Sequence, residues 1–362
     1  METYFLYNFI LINCAIFSFI AEKIKNINLE LLSRMVVFLT LTIPASLRYY
    51  TGTDYGNYVR MFSDDRYLES KEVLWVWLNR FVQFLNLDVQ WVFVFSAILI
   101  YFPLCFKIKK KIYFLAIVIY IIVGFYFRSY SFLRQMISVS FIIWSFYHYD
   151  KKNYLRMVIM YILALGFHFF SIFLLPLFLF AKVKINFKTN TIPILLIFLS
   201  IFVIFNFDIL KFLYHISDFF NLKYTKYFNM DYFTNKRELG TGLGILANLS
   251  FSFLAIFMYK RVSILYPDKV FLLNLSFLYI CIYLLSTQIF ILSRVRDFFT
   301  FVPLILSGYV ILSCGKYKKI VLAILLFINL ATFEKNIAAQ NRYRNSNEIY
   351  PYYSIFYTGE IK

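Results

Sequence analysis

Cysteine and histidine are both scarce in this chain, which has four cysteines and three histidines among its 362 residues. No two cysteines form a Cys-x-x-Cys pair, and none has a histidine at metal-ligand spacing. The cysteines lie within or at the ends of apolar runs, where we expect them to pack as small hydrophobic side chains. The sequence therefore argues against a disulfide framework and a zinc site, and we expect no metal and no cofactor.

Motifs for nucleotide binding are also missing. No Asp-x-Asp pair stands beside a glycine-rich loop, so a divalent-metal site for a sugar nucleotide is poorly supported. The glycine-rich run 239–244 precedes an apolar segment and does not follow a strand, which excludes a dinucleotide fingerprint. A plain turn is the favoured interpretation of that run.

Charged residues make up only 15% of the chain, and basic residues outnumber acidic ones by 37 to 19, for a net charge of +18. In a soluble protein, such an excess would suggest nucleic acid as a partner. Here the positive charge is split among short loops between apolar runs, without a basic arm or face. This distribution is typical of the cytoplasmic lysine and arginine bias of membrane proteins, so we expect no nucleic acid partner.

Apolar side chains are abundant: 61% of the residues are hydrophobic, 22% are aromatic, and the mean hydropathy is +0.69. Soluble domains contain about 45–50% apolar residues. Runs of about 20 apolar residues recur along the chain, which predicts an all-α polytopic integral membrane protein. Because no repeat, low-complexity tract or Pro/Gly/Ser linker interrupts it, we expect a single multi-span membrane domain over 1–362.

The apolar runs predict the membrane spans, and these are 3–21, 30–47, 89–106, 112–127, 132–149, 153–181, 191–206, 243–260, 270–292, 298–313 and 319–333. The long run 153–181 is expected to form two short helices that meet near His168. The total is then about 12 transmembrane helices, with a range of 10–12. Residues 73–86 are amphipathic and too short to span, which suits a short interfacial or re-entrant helix.

Lysine predicts the orientation of these spans. The lysine-rich loops are 107–111, 150–156, 182–188, 260–269 and 316–319, and the bias places them in the cytoplasm. Alternation then puts the following segments on the outer side: 48–72, 128–134, 208–242, 293–297 and the tail 334–362. Arginines are concentrated in these outer segments, although the cytoplasmic bias of basic residues should deplete them there. Because arginine binds phosphate oxygens in a bidentate manner, their presence predicts an anionic ligand.

The first polar cluster is 48–60, which contains two arginines, one carboxylate, four tyrosines and two glycines. It directly follows an apolar run, so it is expected where a membrane helix meets water. Arg48, Tyr55 and Tyr58 of this cluster suit an anionic, sugar-bearing substrate at the bilayer surface. Asp54 is a candidate catalytic carboxylate, and its alternative role is an Asx turn or a helix N-cap.

Two later pairs of arginines complete the candidate anion-binding set. Arg128 and Arg134 flank the start of one apolar run, and for Arg134 the alternative is snorkelling to lipid headgroups. Arg294 and Arg296 precede another run beside Asp297. One arginine of this second pair is expected to form an ion pair with Asp297, which leaves the other, preferably Arg294, for a ligand.

His168 is the single histidine inside an apolar run, and the topology places it at an outward-facing turn. An ionisable group within the membrane is a functional candidate, and histidine titrates near neutrality. We consider it as a base or as a donor to substrate oxygens. A hydrogen-bonded packing residue is the equally weighted alternative.

Four sequence blocks occur in a recognisable order, and they are 48–58 (Arg-Tyr-Tyr-Thr-Gly-Thr-Asp-Tyr-Gly-Asn-Tyr), 132–135 (Phe-Leu-Arg-Gln), 164–171 (Ala-Leu-Gly-Phe-His-Phe-Phe-Ser) and Arg294 before an aromatic-rich span. In order and spacing they resemble the EpsG-like family, which groups with Wzy-type O-antigen and capsule polymerases. The blocks cover roughly residues 40–310, and Tyr-Pro-Tyr-Tyr at 350–353 resembles the ending of the family. Phe169 and Phe170 are bulkier than the small polar residue that this pattern has after its histidine.

The resemblance implies a GT-C-like membrane glycosyltransferase of the bacterial inner (cytoplasmic) membrane, with no metal and no nucleotide-binding domain. Such an enzyme joins oligosaccharide repeat units carried on undecaprenyl diphosphate into O-antigen, capsular polysaccharide or exopolysaccharide at the periplasmic face. The growing chain leaves its lipid diphosphate and is transferred to the non-reducing-end sugar of the incoming unit. A chain-length regulator and a flippase are the further partners it implies.

The chemistry of that transfer assigns roles to the candidate residues. Arginines must hold the negative charge that develops on the lipid diphosphate, and we expect Arg48, Arg134 and Arg294 to do so. The acceptor hydroxyl needs a base, which we expect to be Asp54 or His168.

Two other functions remain open from the sequence. A lipid-linked oligosaccharide flippase explains the span count equally well, but it predicts charged residues at the bilayer midplane, whereas this chain keeps most of its charge at one edge. A membrane acyltransferase would use His168 as a base, but no catalytic partner lies within helical reach of it.

Overall fold

The computed structural model describes residues 2–69, 71–174, 198, 201, 243–287, 290–338 and 349–356. The chain divides into two compact units, one formed by 1–172 and 326–362 and the other by 173–325. Of the predicted span 191–206, only residues 198 and 201 are described, and the predicted outer loop 208–242 lies outside the described residues. This division does not test whether the chain is one folding domain, so the single domain over 1–362 stays a prediction.

The first unit contains ten described helices before residue 172, and they are α1 (Glu2–Lys23), α2 (Ile27–Leu47), α3 (Tyr55–Ser63), α4 (Asp65–Glu69), α5 (Val73–Phe84), α6 (Gln90–Phe106), α7 (Tyr113–Ile122), α8 (Phe125–Ser131), α9 (Leu133–Asp150) and α10 (Tyr154–Phe167). Helices α1, α2, α6, α9 and α10 pack in that order, each against the next. The short helix α7 is wholly apolar apart from its tyrosines, and Ile117, Ile119 and Ile121 are fully buried in the core.

The helices described after residue 242 are α11 (Leu243–Phe257), α12 (Tyr259–Leu265), α13 (Val270–Leu285), α14 (Phe290–Phe298), α15 (Phe301–Ser313) and α16 (Lys318–Ala338). In the second unit, α11 packs on α13 and α15, and α13 packs on α14. Helix α16 begins in the second unit and ends in the first. The short helix predicted at 73–86 is confirmed as α5, and its interfacial or re-entrant position stays a prediction.

Among the described residues, four helices are long and apolar enough to cross a membrane, or up to seven if each bent pair is one span. A mainly helical protein with several such helices is therefore observed, but the predicted 12 spans are not confirmed. One apolar run, 112–127, is interrupted because Gly124 has a φ of +86° and separates α7 from α8. The run 153–181 is interrupted at His168: α10 ends at Phe167, and a 3-10 helix spans Phe169–Leu174. Residues 175–181 lie outside the described residues.

Two loop predictions are wrong in the described parts of the chain, and one sheet was missed. The segments 128–134 and 293–297, predicted as loops, are largely helical in α8, α9 and α14. The prediction of an all-α fold missed a two-stranded antiparallel sheet, in which β1 (Arg48–Tyr49) pairs with β2 (Tyr353–Ser354). Helix-forming propensity and hydropathy carry no information about a pairing between residues so far apart.

The C-terminal strand is held to the first unit by several hydrogen bonds. The Tyr352 hydroxyl donates to the Pro44 carbonyl at 2.9 Å, and the Ile355 amide donates to the Leu47 carbonyl at the same distance. The Tyr7 hydroxyl donates to the Ile349 carbonyl at 2.6 Å. The tail thus packs against the C-terminal end of α2, next to the 48–60 cluster.

The 48–60 cluster also docks on the junction between α8 and α9. The Thr53 amide donates to the Ser131 hydroxyl at 3.2 Å, and the Tyr58 hydroxyl donates to the Ser131 carbonyl at 3.3 Å. Gly52 has a φ of +101°, and a Cβ at this position would lie 2.5 Å from the Tyr130 carbonyl oxygen. Two sequence blocks separated by about 80 residues therefore meet, and glycine is required at the contact.

The opposite end of α2 carries a different set of charges. Arg34 is buried and binds Glu30 at 3.0 Å, while Lys110 binds the other oxygen of Glu30 at 2.7 Å. At 1.5 Å per residue, Arg34 lies about 21 Å along the helix from Arg48. Helix α2 thus separates the predicted cytoplasmic lysine loop from the arginine cluster that follows its C-terminal end.

We expect Gly52→Ala to destabilise the protein by about 1–3 kcal/mol, because alanine at positive φ is strained and its Cβ meets backbone. The matched control is Gly56→Ala in α3, where a Cβ meets nothing within 4 Å. Thermal unfolding of the detergent-solubilised full chain measures the difference. Equal stability of the two variants would contradict this account of the contact.

Candidate functional site

Arg48 is enclosed by the structure, with only 1% of its surface exposed. Its guanidinium donates to the carbonyls of Ala45 and Tyr130, the latter at 3.3 Å. The ring of Phe93 lies 4.7 Å away and that of Tyr130 lies 5.1 Å away, at cation–π distance. Among the described residues, no carboxylate comes within ion-pair distance of Arg48, so carbonyl oxygens and aromatic faces compensate its charge. Burial lowers the pKa of Arg48 from its ordinary value, and the surrounding tyrosines oppose this shift.

Arg134 is the second residue of α9, and its guanidinium forms an ion pair with Glu72. A cation at a helix N-terminus faces the positive end of the helix dipole, so this position favours a nearby anion. Glu72 immediately precedes α5, but its carboxylate does not cap that helix. It is turned instead toward Arg134, which is 62 positions away in the sequence.

His168 meets the same carboxylate from the other side. Its Nδ1 lies 3.2 Å from Glu72 Oε1, a distance at which a protonated imidazole forms an ion pair, and 11% of the side chain is exposed. The residue follows the last residue of α10 in an extended conformation. Glu72 thus joins Arg134 and His168, which the sequence predicted separately. We call these three residues the Glu72 cluster.

Gly166 accounts for the close approach of α10 to α5. A Cβ at Gly166 would lie 2.5 Å from Leu74 Cδ1, two residues after Glu72. The absence of a side chain lets the last turn of α10 reach the first turn of α5. His168 and Glu72 are thereby brought within contact distance.

The Glu72 cluster and the adjacent Lys71 together carry more positive than negative charge. Burial raises the pKa of Glu72, but the imidazole of His168 and the charge of Arg134 outweigh it and lower that pKa to about 2. Lys71 is also close: burial and then the charge of Arg134 lower its pKa. One carboxylate therefore faces Arg134, Lys71 and a titratable imidazole, an arrangement that can accept an anionic ligand.

Tyr55 and Tyr58 are both buried in a group of aromatic side chains beside the Glu72 cluster. Tyr55 stacks on Phe93 with ring centroids 4.7 Å apart and planes at 5°, and Tyr58 packs on Trp75 at 5.3 Å. The Tyr58 hydroxyl bonds to Ser131, three residues before Arg134. This packing fixes the position of the 48–60 cluster relative to α5 and α9.

Asp54 and Arg128 occupy less enclosed positions. Asp54 is half-buried and stands before the first residue of α3, but its carboxylate makes no capping bond to that helix. The Asn57 amide donates to it at 3.5 Å. Asp54 therefore occupies the predicted N-cap position of α3, but its side chain does not form the hydrogen bond that is typical of an N-cap. Arg128 is half-buried in α8, one turn before Phe132.

Arg294 and Arg296 lie in the second unit, on α14. Arg296 forms an ion pair with Asp297 at 3.2 Å and donates to the Ser286 hydroxyl at 3.3 Å. Asp297 is 1% exposed, so its charge is balanced inside this unit. The predicted division of roles is consistent with Arg296 as the structural partner of Asp297. A ligand-binding role for Arg294 stays a prediction.

Comparison with known protein families adds one match. A model of the EpsG family matches residues 31–354, which is nearly the whole chain. The chain belongs to the EpsG family. No curated protein and no solved structure matches it significantly. The matched range of this EpsG protein includes the Glu72 cluster, the 48–60 cluster and strand β2.

Glu72 was not among the residues that the sequence of this EpsG protein predicted for the site. It stands in a hydrophilic stretch, 64–72, with several other charged residues. Only its position immediately before the amphipathic helix α5 distinguishes it from them. In the described part of the chain, no three His, Cys, Asp or Glu side chains are grouped to hold a metal ion.

We expect Glu72→Gln to destabilise the EpsG protein by about 2–3 kcal/mol at neutral pH, because it leaves Arg134 without its counter-charge. Glu72 has its pKa lowered on folding, so its stabilisation is present above the unfolded pKa and is lost as the pH falls toward 2. The difference between wild type and variant should therefore shrink between about pH 4.5 and pH 2.

The control for this change is Glu69→Gln, since the Glu69 side chain is 67% exposed and forms only a surface pair with Arg80. Unfolding of the detergent-solubilised chain across this pH range measures both variants. If the Glu72 and Glu69 variants are equally stable at neutral pH, the Glu72 cluster does not contribute as described.

Proposed function

We propose that this chain is a membrane glycosyltransferase that polymerises oligosaccharide repeat units carried on undecaprenyl diphosphate. EpsG family membership indicates a polysaccharide-polymerase type of membrane protein, and the apolar helices of spanning length agree with it. The product would be O-antigen, capsular polysaccharide or exopolysaccharide, made at the periplasmic face of the inner membrane. A GT-C-like architecture, independence of metals, and a flippase and chain-length regulator as partners belong to the same proposal.

The observation that carries the proposal is the convergence of Arg134 and His168 on Glu72. The leaving group of the reaction is a lipid diphosphate, and its departure leaves negative charge on phosphate oxygens. A guanidinium in a partly buried site stabilises such charge more strongly than it would in water. We propose Arg134, supported by Lys71, for this role, with Arg128 as a further contact to the diphosphate in the same unit. Arg294 is proposed as an anion-binding residue of the second unit, where Arg296 pairs with Asp297.

His168 is proposed as the base beside this anion site, with Asp54 as the alternative. In the transfer, the acceptor hydroxyl gives its proton to the base and its oxygen forms a bond to the donor anomeric carbon. The bond between that carbon and the diphosphate oxygen breaks, and the diphosphate leaves with the electron pair. Glu72 would hold His168 in orientation, as a carboxylate does in other catalytic pairs.

Arg48, Tyr55 and Tyr58 were expected to bind substrate. Arg48 and Tyr58 are buried, and both donate to carbonyls at the α8–α9 junction just before Arg134. These contacts favour a role in positioning Arg134 over direct contact with the substrate. Loss of either contact would displace Arg134. A change at Arg48 is therefore expected to reduce polymer together with protein stability.

The test is complementation of a host from which this gene has been deleted, with the surface glycan read as a ladder on a gel. We expect wild type to restore the ladder and Arg134→Lys to leave single repeat units, because lysine cannot bind phosphate with a bidentate fork. Arg156→Lys, an exposed position on α10, is the matched control and should restore the ladder.

A normal ladder from Arg134→Lys at wild-type protein level would reject the role of Arg134. If the deletion host shows no surface repeat unit until the gene is supplied, export is the missing step. The flippase alternative would then replace the polymerase.

A further inference from the structure

A cleft of about 630 Å³ opens in the first unit beside β1 and the first turns of α3 and α6. This volume lies within the range of about 300–1,000 Å³ that is usual for small-molecule sites. The residues that matter for its chemistry are Tyr49, Tyr55, Asp88, Gln90 and Trp91, and Ile355 of the C-terminal tail closes one side.

Tyrosine rings form one wall of the cleft. The ring centroid of Tyr49 lies 6.0 Å from that of Tyr55, and the centroid of Tyr50 lies 5.2 Å from that of Tyr55. Because Tyr55 stacks on buried Phe93, this wall is held in place from behind. Trp91 adds an aromatic surface that is 42% exposed.

The rim of the cleft presents oxygen acceptors. Asp88 is exposed, and its Oδ1 accepts the Gln90 amide at 2.9 Å, which fixes the carboxylate at the start of α6. Asp88 Oδ2 has no hydrogen-bond donor among the described residues. The Gln90 side-chain amide nitrogen donates to the carbonyls of Ser46 and Arg48. In that orientation the Gln90 side-chain oxygen is directed away from those carbonyls and is available as an acceptor.

We infer that this cleft binds a sugar ring of the saccharide substrate, an inference that rests on the proposed function. Sugar rings present C–H groups on one face, which pack on aromatic rings, and hydroxyl donors on their edges, which bond to carboxylate and amide oxygens. The cleft combines both features. A phosphate would be repelled by Asp88, and a lipid chain would leave the rim acceptors of Asp88 and Gln90 without a function.

The position of the cleft agrees with this occupant. Tyr55 begins α3, and Tyr58, one turn later, bonds to Ser131, three residues before Arg134. The Arg48 carbonyl accepts from Gln90, while the Arg48 guanidinium bonds to Tyr130. The same short segment therefore borders the cleft and supports the Glu72 cluster. A saccharide in the cleft would be held within the unit that carries the anion site.

The binding test uses the full chain in lipid nanodiscs, titrated with the repeat-unit oligosaccharide that mild acid releases from its lipid diphosphate. We expect Asp88→Asn and Tyr49→Ala each to weaken binding by about tenfold, through loss of a charge-assisted hydrogen bond and of an aromatic face. Tyr49→Phe keeps the ring and should bind nearly as wild type. Asn at position 88 keeps an oxygen that can accept the Gln90 amide, so the start of α6 is preserved.

The matched control is Trp77→Ala, an aromatic side chain on α5 that is 67% exposed and does not line the cleft. It should bind the oligosaccharide as wild type does. Arg134→Lys should also bind it, because the released oligosaccharide has no diphosphate, although this variant forms no ladder.

Wild-type affinity in both Asp88→Asn and Tyr49→Ala, or no binding by wild type itself, would overturn the sugar site. Either result is compatible with a normal wild-type ladder in the complementation test, so the proposed polymerase would stand. Conversely, weakened binding in these two variants without any wild-type ladder would support a saccharide site and reject the polymerase.

Discussion

The contact of Glu72 with both Arg134 and His168 is the interaction on which this account of the site depends. It joins the starts of α5 and α9 with the end of α10, three points that sequence separates by up to 96 positions. The half-buried Glu72 carboxylate is stabilised at this position because Arg134 and His168 face it. With Lys71 beside them, positive charge exceeds negative charge here, so one arrangement stabilises the fold and prepares an anion site.

Close backbone approaches make that contact possible. Gly52 allows the 48–60 cluster to reach the Tyr130 carbonyl, and Gly166 allows α10 to reach Leu74. Arg48 then joins the C-terminal end of α2 to the end of α8 by donating to the carbonyls of Ala45 and Tyr130. Arg48 illustrates that an arginine beside a candidate site does not have to contact the ligand. Both terminal nitrogens of its guanidinium bind the scaffold that positions Arg134.

Much of this arrangement was predictable from the sequence, because long apolar runs and short-range chemistry are local signals. Hydropathy located α1, α2, α6 and α9 within a few residues. The arginines of the predicted outer segments indicated Arg134, and a single histidine inside an apolar run indicated His168. Glu72 was not predictable, since its partners are distant in sequence and its neighbours are ordinary surface charges. Strand β2 was missed for the same reason. The break at Gly124 was not predicted, whereas the break near His168 was predicted from the length of the run 153–181.

The most direct test of the central claim is reconstitution of the purified full chain in liposomes with lipid-linked repeat units as the only substrate. The account predicts products of several repeat units, with one undecaprenyl diphosphate released for each glycosidic bond formed. Movement of intact repeat units across the bilayer, without multimers and without release of undecaprenyl diphosphate, would contradict it.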